Sequence, residues 1–145
     1  MNKTIDALNI YLADLNVFYR KVQNYHWNVV GQGFFTVHSK LEEIYNAVNE
    51  KIDIIAERIL AIGGRPYGNM KKYLEVTTIK EANDEDINVV ELLKILIIDI
   101  ENLLAQVKNL KNITDEEKDF GTSAELDNHI SEYEKLLWMF KAYIK

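Results

Sequence analysis

Apolar residues recur every three or four positions along nearly the whole chain, and one proline and six glycines are all that punctuate 145 residues. That period is the period of an α-helix, and so few breakers leave no room for the many turns an all-β fold needs. The first stripe reads Ile5, Leu8, Leu12, Leu15, Tyr19, Val22, His26 and Val29, with Thr4 placed to cap the helix that carries it. Gly31-Gln32-Gly33 breaks this helix, and a turn so short sends the next helix back antiparallel.

The second helix begins near Phe34 or Phe35 and carries His38, Leu41, Glu42, Tyr45, Asn49, Ile52, Asp53, Ala56 and Leu60 along one side. Gly63-Gly64 followed by Pro66 stops it. From there to about Asp84 the period fades, apart from one short helix expected at Met70–Leu74. A connection of that length suits a crossover between parallel helices. The acidic cluster Asn83-Asp84-Glu85-Asp86 is read as the start of a third helix, whose stripe is Val89, Leu93, Leu96, Ile100, Leu103, Val107 and Leu110. Ile95, Ile97 and Ile98 fall outside that stripe and give the helix apolar surface to spare for subunit contacts or a larger core. Thr114-x-x-Glu117 and Thr122-x-x-Glu125 read as capping boxes that open a turn and a fourth helix through Leu126, Ile130, Tyr133, Leu137, Phe140 and Ile144. The expected fold is all-α: a single domain over residues 1–145, a ferritin-like four-helix bundle with a short extra helix in the long crossover between helices 2 and 3.

Composition narrows the function. Seventeen Lys and Arg against 23 Asp and Glu give a net charge of −6, which disfavours a protein whose task is gripping phosphates. Without cysteine, disulfides and thiolate chemistry are excluded, so any transition metal must sit on His and carboxylate. No basic stretch leads into an apolar run at the N-terminus, and Asp99 and Glu101 interrupt the most apolar segment, so a cytoplasmic protein with no membrane span is expected.

Five residues on the first two helices then stand out: His26, His38, Glu42, Asp53 and Glu57. The two histidines flank one short turn and should be neighbours. Glu42 follows His38 by four and Glu57 follows Asp53 by four, so each pair shares a helix face. Imidazole with carboxylate suits ferrous iron, manganese or zinc. Yet His38 and Asp53 are fifteen residues apart, about 22 Å along a helix. One metal cannot touch both within one chain. They meet if two second helices pack antiparallel about a two-fold axis, which gives two equivalent sites per dimer. The di-iron alternative inside a bundle needs Glu-x-x-His pairs, and the residues three before His26, His38 and His129 are Gln23, Phe35 and Leu126.

These residues resemble a known family. His26-Trp27-Asn28-Val29-x-Gly31, then His38, Glu42-Glu43-x-Tyr45, Asp53-x-x-Ala56-Glu57-Arg58-x-x-x-x-Gly63-Gly64-x-Pro66, and Leu137-Trp138-Met139 are similar to the Dps mini-ferritins, close to the short neutrophil-activating and non-DNA-binding members. The resemblance implies a dodecameric shell that oxidises Fe(II) with hydrogen peroxide, preferred over dioxygen, and stores the ferric mineral, protecting against oxidative stress. It implies two irons per ferroxidase centre shared between two subunits, with His26 and His38 from one and Asp53 and Glu57 from the other. Glu42 stands where many members have aspartate and would reach the second iron, while Trp27 would lie beside the ligands and intercept oxidising equivalents. Asp119, Glu125 and Asp127 fall where the family places its acidic iron-entry pores. DNA-binding members carry several basic residues before the first helix, whereas here Lys3 alone precedes Thr4. The alternatives are a nucleoid-protecting DNA-binding protein, or an immune-stimulating surface or interaction protein.

Overall fold

The computed structural model describes residues 2–145. Four long helices, α1 (Asn2–Asn28), α2 (Phe34–Ala61), α4 (Val89–Glu116) and α5 (Phe120–Tyr143), form the bundle, and the short α3 (Met70–Val76) lies in the crossover. Contacts between side chains fix their directions. His26 meets His38, so α1 and α2 run antiparallel. Thr4 at the start of α1 bonds Glu117 just past the end of α4, and Lys21 in the last third of α1 pairs with Asp99 in the first half of α4, so these two helices are antiparallel. Lys111 pairs with Asp127 where α4 turns into α5. Helices α2 and α4 are therefore parallel, which is why a long crossover must join them.

One continuous core runs down the bundle axis, with Leu8, Leu12, Leu15, Val22, Leu41, Ile55, Leu96, Ile100, Val107 and Leu126 all buried. Each such side chain contributes about 1.5–3 kcal/mol by leaving water. Leu92, outside the expected stripe, is fully buried, while Ile98 is exposed. The apolar surplus on α4 thus divides between a broader core face and an outward one.

Two polar residues of α1 hold the crossover. Buried Asp14 accepts hydrogen bonds from Thr77 Oγ1, Thr78 N–H and Thr78 Oγ1 at 2.7, 2.6 and 2.8 Å. Asn9 donates to the Arg65 carbonyl and accepts from Tyr67 N–H. A loop laid against a helix must find partners for its backbone groups, and these side chains supply them. Beyond α3, Ile87–Asn88 pairs in parallel with Val29–Val30, which ties the end of the crossover to the end of α1.

Several helix ends differ from the sequence expectation, each for a local reason. Thr4 lies inside the first turn of α1, where its N–H and hydroxyl both donate to Glu117 Oε1 at 3.0 and 2.6 Å. The Thr114–Glu117 box therefore does not form: Thr114 ends its helix buried, and Glu117 caps a distant one instead. These bonds hold the Glu117 carboxyl down at about 2. Helix α4 starts at Val89 rather than in the acidic cluster, because the Asn88 side chain accepts from Glu91 N–H. Helix α5 is capped by Asp119, three residues before Thr122, and Glu125 turns toward His129. The stop at Gly63 is as expected. Gly63 has φ +94, and Gly64 N–H and Gly63 N–H bond back to Ile59 and Leu60, a Schellman closure.

Candidate metal centre

The turn between α1 and α2 is made by Gly31 and Gly33, both with positive φ, at +89 and +87. It sets the last turn of α1 against the first turns of α2, and the two imidazoles stack with ring centres 3.7 Å apart at 12°. Their hydrogen bonds are reciprocal. His26 Nδ1–H donates to the His38 carbonyl, and His38 Nδ1–H to the His26 carbonyl, each at 2.7 Å. A carbonyl can only accept, so both rings carry a proton on Nδ1, and the neutral form of each has its lone pair on Nε2. This is the tautomer that a metal ligand needs, fixed by a bond on the far side of the ring. The bond to the His26 carbonyl also satisfies an acceptor in the last turn of α1, which has few helical donors left to meet.

The neighbours hold the rings in place. Phe34 stacks on His38 at 4.9 Å, and Tyr45 meets His26 edge-on at 5.3 Å. His26 Nε2 lies 3.6 Å from Oε1 of Glu42, a carboxylate that is itself exposed. The buried His26 ring and the exposed Glu42 carboxylate thus meet at the edge of the helix pair, beside His38. A neutral imidazole beside an anionic oxygen is a donor set suited to a divalent first-row cation. Trp27, next to His26, is 59% exposed, with the Arg20 guanidinium 5.8 Å from its ring centre.

Asp53 and Glu57 are not part of this group. Both are exposed on α2, four turns further on, and no cluster of three or more His, Cys, Asp or Glu suited to a metal forms among the described residues. What joins the two ends is a face of α2. Glu42, Asn46, Asn49, Asp53, Glu57 and Leu60 follow one another in steps of three and four, and all are exposed. One solvent-facing stripe therefore has the histidine pair at its start and two carboxylates near its end.

The three acidic residues near the start of α5 have separate surroundings. Asp119 is buried, and its Oδ1 accepts from Thr122 N–H and from Arg58 Nη2, both at 3.2 Å. Glu125 is half-buried, 3.8 Å from His129 Nε2. Asp127 is exposed and paired with Lys111 at 2.7 Å.

Sequence reasoning passed over one polar cluster in the bundle interior. The Tyr11 hydroxyl lies 2.8 Å from His129 Nδ1 and 2.6 Å from the Tyr133 hydroxyl. Beside it, Lys51 pairs with Glu132, and the ammonium sits 5.9 Å from the centre of the Tyr133 ring. Burial, and then the Lys51 charge, pushes the His129 imidazole down to about 4. Burial raises both phenols well above the ordinary range. The missed signal was a histidine, a lysine and two tyrosines on inward helix faces, where polar groups persist only when paired.

Comparisons with known proteins agree with this architecture. The family model described as Ferritin-like domain matches residues 5–145. DNA protection during starvation protein 2 of Bacillus anthracis is 41% identical over 145 residues, covering 99% of both chains. The crystal structure of a Dps protein from Bacillus brevis superposes with a TM-score of 0.96 at 35% identity, over 99% of this chain and 96% of that one. A Dps protein from Vibrio cholerae O1, described as belonging to a broad superfamily of ferritin-like diiron-carboxylate proteins, gives 0.95 at 40% identity, over 99% and 90%.

Proposed function

The chain belongs to the ferritin-like superfamily as a Dps-family mini-ferritin, an iron-oxidising and iron-storing protein, and we propose that its ferroxidase centre is built between two subunits from His26, His38, Asp53 and Glu57. The observation that carries this assignment is the outer stripe of α2. The stripe begins beside the stacked His26–His38 pair and carries two exposed carboxylates about 22 Å away toward its other end. Antiparallel pairing of two such stripes about a two-fold axis brings each histidine end to the partner's carboxylate end and completes two equivalent centres.

Fe(II) is the substrate. The Nδ1–H bonds to carbonyl oxygens fix the orientation of both imidazoles and leave Nε2 as the nitrogen available to iron. The carboxylates favour the harder ferric ion and so make bound Fe(II) easier to oxidise. Two Fe(II) give up one electron each, and hydrogen peroxide takes both with two protons to become two waters, so no radical is released. Glu42, beside His26 Nε2, reaches the second iron. Trp27 borders the centre. Glu125 and Asp127 line the path of entry, whereas Asp119 holds the start of α5 and Arg58 in place.

The protein is a homo-oligomer of the Dps type, and we assign it the dodecameric shell, with residues 1–145 serving as one domain. A charge of −6 per chain draws cations toward such a shell and opposes direct retention of DNA. No helix among the described residues is long and apolar enough to cross a membrane, and the proposed site of action is the cytoplasm.

The test is anaerobic Fe(II) loading followed by a peroxide pulse, with ferric absorbance and particle mass read in parallel. Wild type should saturate at two Fe(II) per centre and oxidise them in one step on a dodecameric particle. His26→Ala should keep the particle and lose the saturable oxidation. Oxidation at the wild-type rate by His26→Ala would refute the assignment.

A further inference from the structure

The imidazole of His129 is 2% exposed, yet only one of its nitrogens is engaged. Nδ1 lies 2.8 Å from the Tyr11 hydroxyl, which lies 2.6 Å from the Tyr133 hydroxyl. Nε2 makes no hydrogen bond among the described residues. Oε1 of Glu125, one turn earlier on α5, stands 3.8 Å from it, too far for a hydrogen bond. A buried polar nitrogen left this way calls for a partner. His129 and Glu125 both line a groove of about 260 Å³ between α2 and α5, so a partner can reach them from outside.

The two side chains have the spacing of a chelate. Four residues apart, they share one face of α5. An ion of the Zn2+ type holds such a nitrogen and oxygen at about 2.1 Å each, hence about 3.4 Å from one another in a tetrahedral shell. Closing the gap from 3.8 Å takes a small rotation of the Glu125 side chain, which is 32% exposed. Tyr11 supplies what a metal-bound imidazole needs on its other side. With an ion on Nε2 the ring proton sits on Nδ1 and donates to the Tyr11 oxygen, while Tyr11 O–H turns to the Tyr133 oxygen. Hydroxyls both donate and accept, so the same atoms serve with or without the ion. The groove is acidic: Glu50, Glu125 and Glu132 outnumber the Lys51 ammonium, which is itself paired with Glu132. Burial, and then the Lys51 charge, holds the ring down at about 4, so at pH 7 no proton competes for Nε2.

We propose that His129 Nε2 and the Glu125 carboxylate form a second divalent-cation site, distinct from the ferroxidase centre, with water completing the shell. Both donors come from one helix of one chain, so the site takes a single ion and stands independently of the ferroxidase reading. Imidazole with carboxylate accepts zinc, iron and manganese, and the Irving–Williams order places Zn2+ above Fe2+ and Mn2+ at such donors. Zinc is therefore the ion this groove retains best. Tyr11 is a positioning residue here: it holds Nδ1 and so directs Nε2 to the groove.

The probe is Zn2+ alone, titrated at pH 7 into assembled protein whose histidine rings carry nitrogen-15, and read by magic-angle-spinning NMR. The chain has three histidines, so His26→Ala with His38→Ala leaves His129 as the single reporter. Expected is a saturable shift of its Nε2 resonance from the free to the metal-bound range, with Nδ1 protonated and one Zn2+ taken up there per chain. Glu125→Gln should weaken that binding about tenfold or more, and Tyr11→Phe about tenfold through loss of the Nδ1 partner. Particle mass should be unchanged in Glu125→Gln. If the double histidine variant fails to assemble, wild type gives three ring signals, and the one missing from His129→Asn belongs to His129. A His129 resonance that does not respond to Zn2+, or an affinity unchanged in Glu125→Gln, overturns the site. Zinc held elsewhere on the particle leaves that resonance unmoved and counts against it.

Discussion

Sharing of the centre between subunits makes a quantitative complementation prediction. Take one variant that lacks the histidines, His26→Ala with His38→Ala, and a second that lacks the carboxylates, Asp53→Ala with Glu57→Ala. With about 22 Å between the two half-sites on α2, no single chain completes a centre. Each variant alone should therefore be inactive. In a mixed pair one centre draws both halves from altered chains and is dead, while the other draws its histidines from the carboxylate variant and its carboxylates from the histidine variant. That second centre is intact. Random pairing after balanced co-expression makes half the pairs mixed, so about a quarter of all centres should oxidise iron. The assay is the peroxide-driven ferric absorbance step per chain, compared with wild type and with separately purified variants mixed after assembly. Recovery near a quarter in the co-expressed shells, and none in the post-assembly mixture, is expected. No recovery on co-expression, with shells of normal mass containing both chains, would show that the half-sites do not meet across subunits.

Two further outcomes follow from the interior and the turn. His129 has a folded pKa of about 4 against an ordinary 6.5, so between these values the unfolded chain takes up a proton that the folded chain refuses. Stability is unaffected above pH 6.5, falls as pH drops to 4, and changes no further below it through this group, a total of about 3 kcal/mol. Urea midpoints at pH 7 and 4.5 should show a smaller acid loss in His129→Asn than in wild type, and equal losses would contradict the burial argument. At the turn, Gly33→Ala should cost about 1–2 kcal/mol for a side chain in the left-handed region. Its Cβ would also lie 2.9 Å from Tyr143 Oη. Thermal melts measure the cost, and an unchanged midpoint would mean that the turn relaxes freely.

The residues that the sequence pattern placed well are those governed by short-range physics. Stripes at helical spacing, the Gly31–Gly33 reversal and the Gly63–Gly64 stop all depend on neighbours a few positions away. Adjacency of His26 and His38 followed from the short turn between them. Helix ends fared less well, because competing local acceptors were equally good on paper. Asn88 outcompeted the acidic cluster as a cap, Asp119 outcompeted Thr122, and Glu117 left its own helix end for Thr4 of α1. Polar residues on inward faces, such as Asn9, Asp14, Lys51 and His129, had no periodic signal at all. Their partners lie between 56 and 118 residues away.

The sequence by itself determined that this chain is a bundle of helices with a crossover, and that no single metal can bridge His38 and Asp53 within one copy. Both conclusions follow from helical rise and period, which need no tertiary information. The tertiary structure decided the ring tautomers of the histidine pair, the shared outward stripe of α2 and the phenol–imidazole cluster in the core. These depend on which backbone carbonyl or hydroxyl comes within 3 Å of which ring nitrogen, and only packing of distant segments sets that distance.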